Sequence, residues 1–211
     1  MDVFSVLSGE HRVIGQVLAC LEKIVAGVQA GGNLDASSVR EVLEFFRHYA
    51  DHAHHAKEED VLFARIEANA GLSRARGLIA GLRAEHVQAR SHVQAIRMVL
   101  EADKPRPNDM PRFIEHARAL VSGKRQHMQK EEQQLFPAVA EKLTPSELQE
   151  LARAFEHVRQ TDRGAGASAR YVAMANALSG RYGVPHAQAP HLAHQPQHVP
   201  MPPPHEPRRR W

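Results

Sequence analysis

The sequence predicts an all-α protein: an antiparallel up-down four-helix bundle, followed by two shorter C-terminal helices and a disordered tail. Apolar residues recur at helical three- and four-residue spacing through residues 1–183, and no segment shows the polar-apolar alternation of a strand. The breaks between the long helical segments are short, which favours antiparallel neighbours. The chain has 211 residues, of which 43% are hydrophobic and 24% charged. A folded unit of this size can bury a substantial core.

The first two helices are predicted over residues 3–29 and 38–69. Apolar side chains at the spacing of one helical face give both segments an amphipathic pattern. Ser37 or Ser38 can cap the second helix, because a serine hydroxyl accepts a hydrogen bond from a free backbone N–H of the first turn. Gly71 is expected to end it.

The third and fourth helices are predicted over residues 74–102 and 110–142. Pro105 and Pro107 lie between them, and proline cannot continue a helix. After the fourth helix, Thr144 is placed as an N-cap and Pro145 as a first helical residue. Two shorter helices follow, near residues 145–161 and 167–182.

Domain boundaries follow from a change in composition near residue 183. Residues 1–183 form the predicted helical domain, whereas residues 184–211 hold eight of the 13 prolines and five of the 15 histidines. Proline removes backbone donors, and few large apolar side chains are present to offset the entropy of ordering. Residues 184–211 are therefore predicted to be a Pro/His-rich disordered tail.

Charge and composition exclude several classes of function. The net charge is +3, and the tail contributes most of it through its three consecutive arginines, so the domain is nearly neutral and has no basic stripe for nucleic acid. No apolar run is long enough to span a bilayer, and the first residues do not resemble a secretion signal. The single cysteine excludes an internal disulfide framework. We expect a cytoplasmic protein that binds neither nucleic acid nor membrane.

The histidines of the domain follow a repeat. The string HxxKEExxLF occurs at His54–Phe63 and again at His127–Phe136. A Glu-His pair precedes each copy, with His11 lying 43 residues before His54 and His86 lying 41 residues before His127. The domain therefore consists of two copies of one helical hairpin, each supplying a lone histidine and an HxxxE motif.

The repeated spacing predicts a metal site. Residues four apart in a helix lie about 40° apart around the axis and about 6 Å along it, so His54 and Glu58 share one face, as do His127 and Glu131. Buried carboxylates beside imidazoles require a cation. Four histidines and two carboxylates suit two iron ions better than one zinc ion, with two imidazoles on each iron and both carboxylates bridging. The predicted ligands are His11, His54, Glu58, His86, His127 and Glu131.

One ambiguity concerns two adjacent histidines. His55 pairs with Glu59 by the same four-residue spacing that joins His54 and Glu58. Register with His127 and Glu131 in the second copy favours His54 as the ligand, and an exposed position is expected for His55. Glu59 and Glu132 are expected to point outward, about 100° from the ligand face.

These motifs resemble the hemerythrin-like, or HHE cation-binding, family of di-iron four-helix bundles. The resemblance rests on Glu10-His11-Arg12, Glu85-His86 and the two HxxKEExxLF strings. It implies that the six predicted ligands hold two irons, with Glu58 and Glu131 and an oxo or hydroxo group bridging them. Arg90 occupies the position where oxygen-carrying members have a fifth histidine, so the resemblance implies that both irons keep an open position.

The resemblance leaves several functions open at this one site. The first is binding of small oxidants, O2, NO or H2O2, by a sensor, buffer or detoxifying protein. The second is an enzyme with peroxidase-like, catalase-like or NO-reducing activity, whose reductive chemistry would need an external electron donor. The third is an iron donor for iron-centre repair or an iron store.

Overall fold

The computed structural model describes residues 2–102, 107–160 and 167–187, and within these ranges the regular structure is helical. We number six helical segments. The single-type helices are α1 (Val3–Gln29), α3 (Ser73–Leu100), α5 (Pro145–Gln160) and α6 (Ala167–Tyr182). Segment α2 covers residues 36–68 and α4 covers residues 109–140, and both change helix type along their length.

The changes of helix type occur where the repeated motifs lie. In α2, α-helical Ala36–Phe45 is followed by π-helical Phe46–His55 and Lys57–Phe63, and then by α-helical Ala64–Ala68. In α4, π-helical Glu131–Leu135 lies between α-helical Asp109–Lys130 and Phe136–Ala140. A π-helix bonds residue i to i+5, which widens the turn, and such segments occur frequently at functional sites.

The structure confirms one predicted helix N-cap and corrects another. Thr144 and Glu147 form a reciprocal capping box at the start of α5, as the Thr144 cap predicts. The predicted Ser37 or Ser38 cap of α2 is wrong, because the helix begins earlier and Asp35 accepts from the backbone N–H of Ser38. That bond and the bond from the Ser38 hydroxyl lower the pKa of Asp35 to about 2. Gly71 lies in a short 3₁₀ turn after α2 has ended at Ala68.

Two separate apolar clusters form the core, and a polar layer lies between them. One cluster contains Ile14 and Val17 of α1 with Phe113 and Leu120 of α4. The other contains Leu7 of α1 with further side chains from every other segment except α6; these are Leu62, Phe63, Leu82, Leu135, Phe136 and Phe155. His11 lies between Leu7 and Ile14 in sequence, and the predicted ligands on the other long helices likewise lie between residues of the two clusters. The polar residues therefore form a layer with one apolar cluster on each side.

Successive long helices pass through the two clusters in alternating order. Segment α1 leaves the Leu7 cluster and enters the Ile14 cluster, α2 runs the opposite way, and α3 and α4 repeat the alternation. The two short helices each close one end, since α6 packs on α1 and α2 beside the Ile14 cluster and α5 packs on α1 and α2 beside the Leu7 cluster. Each of the four long helices thus contributes its middle to the polar layer.

Two parts of the sequence interpretation fall partly or wholly outside the described residues. The predicted break between the third and fourth helices includes residues 103–106, which are outside the described residues. Most of the predicted disordered tail, residues 188–211, is also outside them. Residues 184–187 are described and extend from the end of α6 without helix. Among the described helices, none is both long and apolar enough to cross a lipid bilayer.

Candidate metal centre

The structure brings all six predicted ligands together in the polar layer. Each is 3% exposed or less: His11, His54, Glu58, His86, His127 and Glu131. They come from the four long helices, one from each of α1 and α3 and two from each of α2 and α4. Their inward-facing atoms form two overlapping groups of four, each compact enough to hold a metal ion.

The first cluster consists of His11, His54, Glu58 and Glu131. His54 Nε2 lies 3.1 Å from Glu58 Oε1, and His11 Nε2 lies 3.3 Å from Glu131 Oε2 and 3.7 Å from Glu58 Oε1. All the facing donor atoms of this group lie within 4.8 Å of one another. A cation at their centre would be within reach of two imidazoles and two carboxylates.

The second cluster consists of His55, Glu58, His86 and His127. His86 Nε2 lies 2.9 Å from His127 Nε2 and 3.4 Å from Glu58 Oε2. Glu58 therefore turns one oxygen towards each cluster. Glu131 also reaches both, because its Oε2 lies 3.2 Å from His127 Nε2 as well as close to His11.

An outer layer of carboxylates orients these imidazoles. The Nδ1 of each of the five histidines bonds to a carboxylate, in the pairs His11–Glu132, His54–Glu10, His55–Asp51, His86–Glu59 and His127–Glu85. An Nδ1–H that donates to a carboxylate leaves the Nε2 lone pair facing the centre. This is the usual arrangement of a metal-binding histidine.

Comparison with known families agrees with this geometry. The profile of the hemerythrin HHE cation binding domain matches residues 2–139. The chain belongs to the hemerythrin family. The family resemblance seen in the sequence is thereby confirmed, and membership implies a helical domain that binds iron or other cations. Comparisons with curated proteins and with solved structures found no match.

The outer carboxylates give a role to residues of the repeated HxxKEExxLF string that are not predicted ligands. In the first copy, Glu10 of the Glu-His pair accepts from both His54 and Lys57. In the second copy, Glu85 accepts in the same way from His127 and Lys130. The Lys of HxxKEE thus anchors the glutamate that orients the motif's own histidine.

The second glutamate of each KEE triplet orients a histidine of the other copy. Glu59 accepts from His86, and Glu132 accepts from His11. These glutamates are rotated away from the centre, as predicted, but they are not merely solvated. The shared string contained this information, although the sequence interpretation did not use it.

In the first cluster, the contacts between histidines and carboxylates favour protonated imidazoles and ionised carboxylates. Burial opposes the charged form of His11, but its contacts with Glu131, Glu132 and Glu58 outweigh burial and raise its pKa well above the usual range. The pKa of His54 is raised despite its burial, by Glu58 and Glu10. Burial would raise the pKa of Glu58, yet His54, His11 and His86 hold it well below its usual range.

The expectation of an exposed His55 is wrong. Its side chain is 3% exposed, and its ring stacks on that of His86 with centroids 3.7 Å apart. The expectation assumed α-helical geometry, in which neighbouring residues point about 100° apart. Phe46–His55 is π-helical, and the wider turn reduces that angle, so that His54 and His55 both face the polar layer.

A buried lysine also faces the second cluster. Lys124 lies one turn before His127 on α4, is 2% exposed, and donates from Nζ to His55 Nε2 over 3.0 Å. Together with burial, this ammonium lowers the pKa of His55 well below its usual range.

Aromatic rings close the centre at both clusters. Phe136 stacks on His11 with ring centroids 5.8 Å apart, and Phe63 stacks on His86 with centroids 6.0 Å apart. Each phenylalanine is the last residue of its HxxKEExxLF string. They provide apolar walls for the two clusters.

Proposed function

We propose that this hemerythrin-family domain holds two iron ions in an antiparallel four-helix bundle and binds small oxidants, O2, NO or peroxide, at them. The main observation that supports this proposal is a set of buried polar atoms without hydrogen-bond partners. They are His11 Nε2, His54 Nε2 and both carboxylate oxygens of Glu58 and of Glu131. Leaving such groups unsatisfied costs about 1–3 kcal/mol each, and more when they are charged. Coordination to a cation removes that cost.

The arrangement of the carboxylates favours two ions over one. Glu58 is shared by the two clusters, with one oxygen facing each, and Glu131 approaches a histidine of each cluster. A single tetrahedral zinc ion would take four ligands and leave other donors buried without a partner. A donor set of imidazoles and carboxylates without thiolate suits non-haem iron.

Helix order supports the bundle in this proposal. The four long helices pass through the two apolar clusters in alternating directions, and each places ligands in the layer between them. Ligand sites in four-helix bundles are built in this way from inward side chains of facing helices.

The surroundings of the centre suit a small, uncharged or weakly charged guest. When bound, the iron pair supplies coordination and electron transfer to such molecules. A surface cleft of about 370 Å³ is lined by Arg12, Glu132 and Phe136, and the last two touch His11. Phe136 lines this cleft and stacks on His11, which favours the cleft as the side from which a small molecule approaches the first cluster.

The proposal is tested on the whole chain loaded with ferrous iron under anaerobic conditions. We expect two irons per chain and an optical spectrum that changes on separate exposure to O2, NO and H2O2. A spectrum restored by removing the gas supports a buffer or sensor, and sustained peroxide consumption supports an enzyme. Rapid loss of iron to a chelator with no response to the three oxidants would favour the iron-donor function. Failure to bind iron would overturn the proposal.

A pair of matched variants controls for general effects of charge removal. Glu131→Gln should lower the bound iron below two per chain, because Glu131 approaches both clusters. Glu115→Gln, on the exposed side of the same helix α4, should keep both irons. Equal iron content in the two variants would contradict the proposed site.

A further inference from the structure

The two copies of the motif differ at the positions next to the ligands. Aligning His54 with His127 places His55 opposite Met128 and Asp51 opposite Lys124. The ligands and their outer carboxylates match in the two copies, whereas these two positions do not. These two mismatches are among the positions at which the two copies differ.

The residues that break the repeat contact one another around the second cluster. His55 Nδ1 donates to Asp51 Oδ1 over 3.1 Å, and His55 Nε2 accepts from Lys124 over 3.0 Å. An imidazole with this pair of partners is neutral and directs its Nε2 lone pair at a cation. Here that cation is the ammonium of Lys124, and a metal ion would use the same lone pair.

Arg90 contacts two of the carboxylates on the outer side of the second cluster. Its Nε donates to Asp51 and its Nη2 to Glu59, both over 2.7 Å. Asp51 holds His55, and Glu59 holds His86. One guanidinium thus ties together the two carboxylates that orient two imidazoles of the second cluster. The matching alignment of Glu85-His86 with Glu10-His11 places Gly15 opposite Arg90, so the first cluster has no such clamp.

We propose that His55 is a fifth imidazole ligand, on the ion of the second cluster, and that Lys124 occupies that ion's position until metal binds. The inference rests on the proposed two-metal function and specifies its ligand set. The second ion then has three imidazoles, from His55, His86 and His127, besides the shared carboxylates. The first ion has two, so it keeps the open position, on the side where the surface cleft lies.

A purely structural role for His55 makes different predictions. In that role His55 is only the hydrogen-bond acceptor of buried Lys124, and the second ion is held by His86, His127 and the carboxylates. The pair would then stay intact when metal binds. Counting the imidazoles on the metal separates the two roles.

The first experiment counts ligands without changing the chain. In the whole protein loaded with cobalt(II), each ligating histidine gives one strongly shifted Nδ1–H proton signal in the NMR spectrum, and the carboxylate partners slow its exchange. We expect five such signals. Four signals with two bound cobalt ions would overturn the assignment of His55 and leave the two-metal proposal intact. Absence of bound cobalt, together with absence of bound iron, would overturn both.

The second experiment uses a matched pair of variants on α2. His55→Met gives the first copy the residue that the second copy already has, and His52→Met is the control three residues away. Stepwise metal titration should show the second ion bound about 10- to 100-fold more weakly in His55→Met, with the first ion and the His52→Met control unchanged. Circular dichroism verifies the fold. Unchanged affinity for both ions in folded His55→Met would contradict the proposal.

A third variant tests the role of Lys124. Lys124→Met removes the ammonium that competes for His55 Nε2, so we expect tighter binding of the second ion. Unchanged binding of that ion in the folded variant would contradict competition at this position.

Discussion

The two clusters bury the same kind of donor atoms but balance their charge in different ways. In the first, inward Nε2 and carboxylate atoms face one another without a hydrogen bond, and the neighbouring carboxylates raise the pKa values of His11 and His54, which favours their protonated forms. In the second, Lys124 faces His55, and burial together with that ammonium lowers the pKa values of His55 and His127. A metal ion would therefore replace protons in one cluster and an ammonium group in the other.

The shared carboxylate offers the largest test of this comparison. Glu58→Gln keeps the shape of the side chain but removes the charge that serves both clusters, so metal content should fall from two ions per chain to less than one. Elemental analysis of the loaded protein measures it. Glu67→Gln, on the exposed side of the same segment α2, should keep both ions. Two ions in Glu58→Gln would show that the clusters do not depend on this residue.

Metal removal should destabilise the fold, because the ligands come from four helices and assemble only in the native state. Free metal at 100 times its dissociation constant contributes about 2.7 kcal/mol per site. For a chain of this length each occupied site raises Tm by roughly 5–10 °C. Differential scanning calorimetry with and without a chelator measures the shift. An equal Tm in both states would argue that metal does not bind the native fold selectively.

The outer carboxylates allow the clusters to be weakened one at a time. Glu132→Gln replaces the carboxylate partner of His11 with a neutral amide and should weaken the first ion, whereas Glu59→Gln makes the same change beside His86 and should weaken the second. Changes of this kind cost about 10- to 100-fold in metal affinity. Stepwise titration of each variant measures which ion is affected. Both variants weakening the same ion would refute the division into two clusters.

Proton release should differ between the two ions. Metal needs neutral imidazoles, and despite burial the contacts with carboxylates raise the pKa values of His11 and His54, so in the absence of metal both keep their protons to a higher pH than an ordinary histidine does. Affinity at the first cluster should therefore fall as the pH drops below these raised values. His55 and His127 have lowered pKa values and are already neutral at pH 7. Calorimetric titration in buffers of different ionisation enthalpy counts the protons, and equal release for both ions would contradict the difference.

The smallest expected effect concerns the access of small molecules to the metal centre. Phe136 lines the surface cleft and stacks on His11, so Phe136→Leu should speed the entry of NO a few-fold at the first cluster. Phe63→Leu makes the same change beside His86, where the cleft does not reach, and serves as the control. Stopped-flow mixing with the ferrous protein measures both rates. A larger effect from Phe63→Leu would place the entry path at the second cluster.

The sequence predicted much of the fold because its signals are local. Helical spacing and breakers located all six segments to within a few residues, and the Thr144 capping box lies where its residues indicate. The start of α2 was missed because Asp35 and Ser38 compete for the same role. Aspartate and serine are both favoured at the N-cap, so the local sequence does not distinguish Asp35 from the serines two and three residues later. The packing of the surrounding helices determines which residue caps the helix.

The sequence by itself determined the metal-ligating chemistry, because an internal repeat identifies residues that a helix must place on one face. His54 with Glu58 and His127 with Glu131 were paired in this way, and the structure brings them together with His11 and His86. The tertiary structure alone decided the position of His55 and the contact with Lys124. Residues 36–68 contain no proline or glycine that would predict a wider turn, so the π-helical geometry that turns His55 inward is not visible locally. Lys124 contacts His55 across 69 residues of chain, and only the packing of α2 against α4 makes that contact.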